Sequence, residues 1–514
     1  MTAERNSLLR GVAWVAAAGY VEAAVGLIVG VFIARALGPA DYGYYAYGIW
    51  VCGALLATSN HGLPSSAIKF IAETRGSDRP LLAAAIVSWL ARLQWISSTL
   101  VLGGFALAMF IWPLPYWADN LPVMLLIALV AVWSRAGFWM WGSIGEGFED
   151  FAPANLSLML MAVLNLVSVV VMAFLGAGIV HYFALYAALG VISNLFLRWM
   201  LRQRDIRGRA GPIPTDLRSR FVRHLGLTGL LILLGVFVGR GIELTLLKAF
   251  SGPEAVGYYA IATALTRGAT MIVVGGLAAV LLPAMSRRFG VGGTAALGGI
   301  LVESARVYWM IGLVISGLGL AASDGLIHLL YGQQYDGAIT ALNWSLVAAG
   351  TMVTSGAAAA VLTASDRQVD RIRVALVTLG VNAIAGLVLI PRYELNGAIA
   401  STVLAHATEL LLCWHYALKR VPVRLPWMPM LKQGFAAVVA GLLGYEVAEL
   451  WHVKLAFLVG SLVFVVIYVP MCVVLRTLTA GDYALISQGL ARLGGPGRGL
   501  SGWVLGLQRF ARAG

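Results

Sequence analysis

The sequence has few of the residues that a water-soluble protein needs at its surface. Charged residues make up 11% of the 514 residues and hydrophobic residues 60%, whereas a typical globular chain has about 25% charged residues. The three cysteines, Cys52, Cys413 and Cys472, all lie in apolar runs, which excludes a disulfide framework and a cysteine metal site. A phosphate-cradling glycine loop, a Ser/His/Asp set and metal-ligand spacing are also missing. We therefore expect neither an enzyme nor a resident cofactor or metal.

Long apolar runs fill most of the chain. A helix needs about 20 apolar residues to cross the hydrocarbon core, and the runs are continuous rather than alternating, which favours helices over a barrel. The sequence predicts an all-α polytopic membrane protein with about 14 transmembrane helices. The predicted spans are 11–34, 44–68, 88–112, 121–142, 154–176, 179–200, 225–249, 256–283, 300–321, 338–362, 373–390, 396–418, 430–448 and 455–475.

The basic residues indicate orientation. The formal net charge is +13, but the lysines and arginines lie between apolar runs and not on one face of a soluble domain, so nucleic acid is not an expected partner. They concentrate in every second loop. This positive-inside asymmetry places both termini in the cytoplasm and implies an even number of spans.

One basic segment, 201–223, divides the chain after six spans and contains seven arginines, two glycines and two prolines. We predict an N-terminal six-helix lobe at 1–200, a cytoplasmic linker at 201–223 and a C-terminal six-helix lobe at 224–420. Two additional transmembrane helices follow at 421–476, and a cytoplasmic tail at 477–514. Four apolar residues of that tail share one helical face, which predicts a helix on the membrane surface: Leu500, Trp503, Val504 and Leu507.

An internal repeat relates the two halves. The segment 38–46 reads GPADYGYYA and the segment 252–260 reads GPEAVGYYA, so six of nine positions are identical. Asn165 and Asn382 are a second matching pair at nearly the same offset. Because six predicted spans separate the copies, both halves enter the membrane in the same orientation. We expect them to be related by an axis along the membrane normal, with a pathway between them.

Four motifs resemble one family of transporters. They are Ala34-Arg35-Ala36-Leu37-Gly38-Pro39 through Tyr45, the segment Leu329 to Tyr335 with Ala338 and Leu342, Asn382 with Ile390-Pro391-Arg392-Tyr393, and Asn396-Gly397-Ala398 with Ser401. Their order and spacing are similar to those of the polysaccharide transporters in the multidrug/oligosaccharidyl-lipid/polysaccharide exporter superfamily. The resemblance runs from about residue 8 to residue 490.

The resemblance implies two pseudo-symmetric six-helix lobes around a central cavity, two trailing helices and alternating access. It also implies a cargo, an undecaprenyl-diphosphate-linked oligosaccharide that is flipped across the bacterial cytoplasmic membrane for export of an exopolysaccharide, O-antigen or capsule. A polysaccharide polymerase and a chain-length regulator are the protein partners that this role implies.

Charged residues at bilayer depth are the candidate functional residues, because each costs roughly 2.5–3.5 kcal/mol to insert and normally faces a cavity or a partner. We predict that arginines hold the diphosphate, since the planar guanidinium pairs bidentately with phosphate oxygens. Three glutamates could instead bind a coupling ion or neutralise these arginines. The candidates are Arg135, Arg240, Arg267, Arg92 and Arg306, with Glu22, Glu243 and Glu409.

The same charged residues could instead have purely structural roles. Arg240 and Glu243 are three residues apart on one helix face and could simply pair, while Arg92 and Arg306 could extend to the membrane interface. Two other cargoes also fit the superfamily. A cation-coupled multidrug antiporter should favour acidic and aromatic cavity residues, and a lipid II flippase would carry a different diphosphate lipid.

Overall fold

The computed structural model describes residues 2–77, 79–114, 117, 120–209, 211–236, 241–450, 456–479, 481–483 and 487. Side chains are described at these positions except at 2–13, 227, 231, 272–276, 278–280 and 456. The predicted surface helix of the tail therefore lies outside the described residues, as does Arg240.

The described chain is built from helices. The first eight are α1 (Thr2–Asn60), α2 (Leu63–Gly76), α3 (Pro80–Ile111), α4 (Leu121–Gly147), α5 (Ala152–Phe174), α6 (Ile179–Gln203), α7 (Thr215–Val236) and α8 (Ile242–Phe250). The next seven are α9 (Pro253–Gly292), α10 (Gly298–Leu330), α11 (Gly337–Met352), α12 (Ser355–Ala364), α13 (Gln368–Arg420), α14 (Trp427–Leu450) and α15 (Ala456–Val474).

The prediction of an all-α polytopic membrane protein is confirmed. Within the described residues, ten helices are long and apolar enough to cross a membrane, and each of the predicted spans overlaps a helix. The number of long helices is lower than the number of spans partly because α1 and α13 each join two spans. Gly38 in α1 and Glu394 in α13 have non-helical backbone angles, so each of these long helices is two helices that meet at a kink.

Several span boundaries differ from the prediction. The second span does not continue to residue 68, because the left-handed Gly62 (φ 90°) ends the helix and starts α2. The tenth predicted span is interrupted between α11 and α12. The seventh begins earlier than predicted, at Thr215. Turns between short helices inside an apolar run leave no trace in hydropathy.

The chain forms two compact units, Met1–Ala260 and Ile261–Gly514. The first unit includes α7 and α8 because both helices contact α1. Its buried core at one end joins α2, α3, α4, α6 and α7 around Phe70, Leu90 and Phe221. The domain limits predicted from the sequence stay predictions.

The second unit has a core between α10 and α14–α15. Phe464 of α15 is fully buried and contacts Gly317 of α10, where a Cβ would lie 2.1 Å from the ring. Gly444 of α14 and Gly460 of α15 also approach backbone to backbone, the kind of small-residue contact by which membrane helices pack closely. The two trailing helices are thus packed on α10.

The two copies of the repeat contact each other within the first unit. A Cβ on Gly43 would lie 1.8 Å from the carbonyl oxygen of Pro253, and a Cβ on Gly257 would lie 2.3 Å from that of Pro39. Equivalent residues therefore make the same contact in both directions, as a two-fold relation produces. The repeated glycines are required where the two backbones cross.

Candidate functional site

Arg135 lies on α4 and is held against α6. Its guanidinium carbon is 3.7 Å from the centroid of the Tyr186 ring, and its Nη2 donates a 3.4 Å hydrogen bond to the Tyr186 carbonyl oxygen. Gly190, one turn further along α6, leaves room for this arrangement, since a Cβ there would lie 3.3 Å from Arg135 Cγ. The arginine is thus fixed by a cation–π contact and a backbone acceptor.

A small cavity of about 30 Å³ opens beside this guanidinium. Its polar lining consists of Arg135, Asn165 and three tyrosines, Tyr45, Tyr182 and Tyr186. Two of these residues present donors that have no hydrogen-bond partner in the described part of the chain, the Nε of Arg135 and the buried hydroxyl of Tyr182. Buried polar atoms normally have partners, so these two donors are available to a ligand or a water in the cavity.

The cavity is electropositive. Its lining includes no aspartate or glutamate, and no carboxylate of the described residues lies within ion-pair distance of Arg135. Tyrosine hydroxyls, an amide and a guanidinium are all groups that can donate to an anionic oxygen. The arrangement suits an anion and does not suit a cation.

Two other predicted arginines and one glutamate are exposed. Arg92 lies on α3, Arg267 on the first half of α9 and Glu22 on the first half of α1. An exposed charge within a membrane helix is tolerated where it faces a water-filled space or can extend to the interface. Arg240 lies outside the described residues.

The remaining predicted residues have different surroundings. Arg306 on α10 forms a 2.5 Å ion pair with Asp482 and a 3.3 Å hydrogen bond with Thr479. Glu243 on α8 is buried, and Glu409 on α13 is half-buried.

Arg135 contacts Tyr186 and Arg306 pairs with Asp482, and neither of these partners belongs to the predicted set. The tyrosines that complete the Arg135 cavity were not predicted from the sequence. A signal for two of them exists, because Tyr182 and Tyr186 are four residues apart and so share one face of α6.

Comparison with protein families gives one match. A family model described as "Polysaccharide biosynthesis protein" matches residues 8–289, more than half of the chain. No curated protein sequence matches the chain.

Solved structures with a similar fold belong to flippases and exporters. A structure titled "Lipid II flippase MurJ, inward closed conformation" matches with a TM-score of 0.67 at 11% identity, covering 89% of this chain and 98% of that one. An inward-facing multidrug resistance MATE transporter of the MOP superfamily matches with a TM-score of 0.63 at 15% identity, covering 78% of this chain and 94% of that one. A MOP superfamily transporter from Pyrococcus furiosus matches with a TM-score of 0.58 at 13% identity, covering 81% of this chain and 95% of that one. At these identities the similarity shows the fold alone.

Proposed function

The chain belongs to the polysaccharide biosynthesis protein family, and from that premise we propose that it flips undecaprenyl-diphosphate-linked oligosaccharide repeat units across the bacterial inner membrane. The direction is from the cytoplasmic to the periplasmic leaflet, and the mechanism is alternating access. Both termini lie in the cytoplasm, in accordance with the positive-inside asymmetry.

The observation that carries this proposal is the electropositive cavity at Arg135. The diphosphate is the only strongly charged part of such a cargo that is common to every sugar repeat, and it needs donors rather than acceptors. Arg135 supplies a permanent positive charge and an unpaired Nε donor. Tyr182 supplies a second buried donor, which also has no partner among the residues that the structure describes, so both groups can bind a phosphate oxygen.

The polarity of the cavity argues against a cationic drug as the cargo. A cation in the cavity would be repelled by the permanent positive charge of Arg135, and the lining has no acidic residue to offset that charge. The Pyrococcus furiosus relative is described as having a binding pocket of reverse polarity that suggests a different function.

The size of the cavity indicates how it is used. A volume of about 30 Å³ holds one group the size of a water molecule, so it admits one phosphate oxygen and not a whole diphosphate. The cavity must widen when the carrier binds, as alternating access requires. In this proposal Arg267, which is exposed on its helix, contacts the diphosphate during transport. Glu22 and Glu409 are the candidates for binding a coupling ion.

The test is complementation of a strain that lacks this chain. We expect Arg135→Gln and Arg267→Ala to abolish polymer export and to leave sugar-loaded carrier on the cytoplasmic leaflet, at normal protein abundance. Arg135→Lys should restore little, because an ammonium cannot stack on Tyr186 and pair bidentately at once. Arg218→Gln is the matched control, since it removes one arginine from the exposed linker and should export normally.

Two results would contradict the proposal. Normal polymer yield in both Arg135→Gln and Arg267→Ala would remove the diphosphate role from these arginines. Lysis of the deletion strain, with lipid II retained on the cytoplasmic leaflet, would show that the carrier is lipid II instead.

A further inference from the structure

A second cavity lies at the end of α6, separate from the Arg135 cavity. It has a volume of about 240 Å³ and is lined by Trp141, Arg198, Leu201, Arg202, Ile206 and Arg207, with Gly208. Three of these residues are arginines, and the lining contains no acidic residue. The volume is several times that of the Arg135 cavity, which makes it large enough for a phosphate group.

The three arginines bring like charges together. Arg198 and Arg202 are four residues apart on α6, where like charges repel each other and destabilise the helix. Among the described residues, the carboxylate within ion-pair distance of these three arginines is that of Asp205, 3.6 Å from the Nε of Arg207, and its side chain is 92% exposed to solvent. A cluster of this kind is stabilised when an anion binds between its members.

Other arginines of the same region have carboxylate partners. Arg204 pairs with Asp150 at 2.5 Å, and Arg220 makes a bidentate pair with Glu73 at 2.8 and 3.0 Å. The arginines that line the cavity therefore differ from their neighbours in how they are neutralised. A bound anion would supply the negative charge that Asp150 and Glu73 supply to Arg204 and Arg220.

The walls of the cavity are held in place by the protein itself. Arg198 donates from Nε to Oδ1 of Asn194 at 3.1 Å, and its guanidinium lies 5.3 Å from the centroid of the Trp141 ring. The segment that closes the cavity is fixed on α3, where Arg209 N donates to Ala84 O at 3.0 Å and Ser88 Oγ donates to Arg209 O at 2.8 Å. The arginines are thus positioned before any ligand arrives.

The position along α6 places the cavity at headgroup depth. Arg198 is five residues before the last residue of the helix, Gln203, which corresponds to about 7.5 Å along the axis. The apolar side chains of Leu195 and Trp199 are 61% and 56% exposed just beside it. These side chains suit contact with lipid tails and with the membrane interface, where tryptophan is enriched.

We propose that Arg198, Arg202 and Arg207 form a binding site for the phosphate of an anionic bilayer lipid, in the leaflet that faces the cytoplasm. The ligand is a structural lipid and not the transported carrier, because the cavity is lined only by residues of α4, α6 and the start of the linker. Arg202 and Arg207 are exposed, which leaves the site open to lipid from the side. Anionic lipid in this leaflet attracts basic segments next to membrane helices.

The experiment measures thermal unfolding of the purified full-length protein in a neutral detergent while dioleoylphosphatidylglycerol is titrated in. Dioleoylphosphatidylcholine and inorganic phosphate are titrated in parallel. We expect a saturable rise in the unfolding temperature with phosphatidylglycerol, and at least a tenfold weaker apparent affinity in the Arg198→Gln/Arg202→Gln double variant. The matched control is Arg218→Gln/Arg223→Gln, which removes the same charge from exposed positions outside the cavity and should respond like the wild type.

Single substitution of the exposed Arg207 keeps the test decisive if the double variant fails to fold. Arg207→Gln should weaken the response to phosphatidylglycerol several-fold while leaving the unfolding temperature without lipid unchanged. An unchanged response in Arg207→Gln and in the double variant would overturn the proposal, and so would equal stabilisation by phosphatidylcholine. Full stabilisation by inorganic phosphate alone would make the site an ion site and overturn its assignment to a lipid.

Discussion

At the scale of single residues, the arginines differ in what neutralises them. Arg204, Arg220 and Arg306 each have a carboxylate partner, whereas Arg135 is held by an aromatic ring and a carbonyl oxygen. A close carboxylate partner already neutralises the charge of an arginine within the fold, so the arginine does not need an anionic ligand. Arg135 lacks that compensation among the described residues, and for this reason it is the strongest candidate for the cargo site.

Arg306 can be tested against the opposite hypothesis, that it serves structure alone. It was predicted to bind substrate, but its ion pair with Asp482 is largely buried, with 18% and 9% of the two side chains exposed. If the pair is structural, Asp482→Asn and Arg306→Gln should each lower the free energy of unfolding by about 2 kcal/mol, because each leaves one buried charge without its partner. Thermal unfolding of the purified variants measures this.

Export assays on the same variants separate the two roles. A structural pair predicts that both substitutions reduce export only as far as they reduce protein abundance. Normal export per molecule in Asp482→Asn together with no export in Arg306→Gln would show that Arg306 binds cargo.

At the scale of helices and motifs, the repeat marks the place where the backbones of α1 and α9 cross. Gly43 and Gly257 are equivalent positions of the two copies, and each faces a carbonyl oxygen of the other copy's proline. No side chain fits between the two backbones at these positions. The contact explains why both copies have glycine at this position.

Substituting the crossing glycines should therefore destabilise the protein. We expect Gly43→Ala and Gly257→Ala each to lower the free energy of unfolding by about 1–3 kcal/mol, because the added methyl group overlaps a carbonyl oxygen. Gly53→Ala is the control, since a Cβ there has no atom within 4 Å and alanine favours a helix over glycine. An unfolding temperature equal to that of the wild type in both crossing variants would contradict the close contact.

How much of the molecule the sequence predicts depends on the range of the interaction. The helices follow from apolar runs of about 20 residues, which the local sequence contains. The partnership of Arg135 with Tyr186 depends on how α4 packs against α6, across 51 residues, and no local pattern contains it. The lipid cavity was missed for the same reason, because its arginines were interpreted as determinants of topology and the cavity exists only where residues 206–209 fold back on α3.

At the scale of the whole molecule, the orientation in the membrane decides what each surface does. The lipid site requires the end of α6 in the cytoplasm, and the direction of transport requires both termini there. The native cysteines allow a direct test, because Cys52, Cys413 and Cys472 are all buried and should react little with a water-soluble thiol reagent. New cysteines can therefore be introduced into the natural sequence with a low background.

Two exposed positions report on opposite faces. Ser219 lies on α7, within the segment 201–223 that was predicted as the cytoplasmic linker, and Gln334 lies in the turn between α10 and α11. In intact cells with a permeable outer membrane, a membrane-impermeant maleimide should label Gln334→Cys, and it should label Ser219→Cys only after the inner membrane is broken. Labelling of Ser219→Cys in intact cells would invert the topology, and it would move the three arginines of the lipid site to the periplasmic leaflet, where the excess of basic residues would have no explanation.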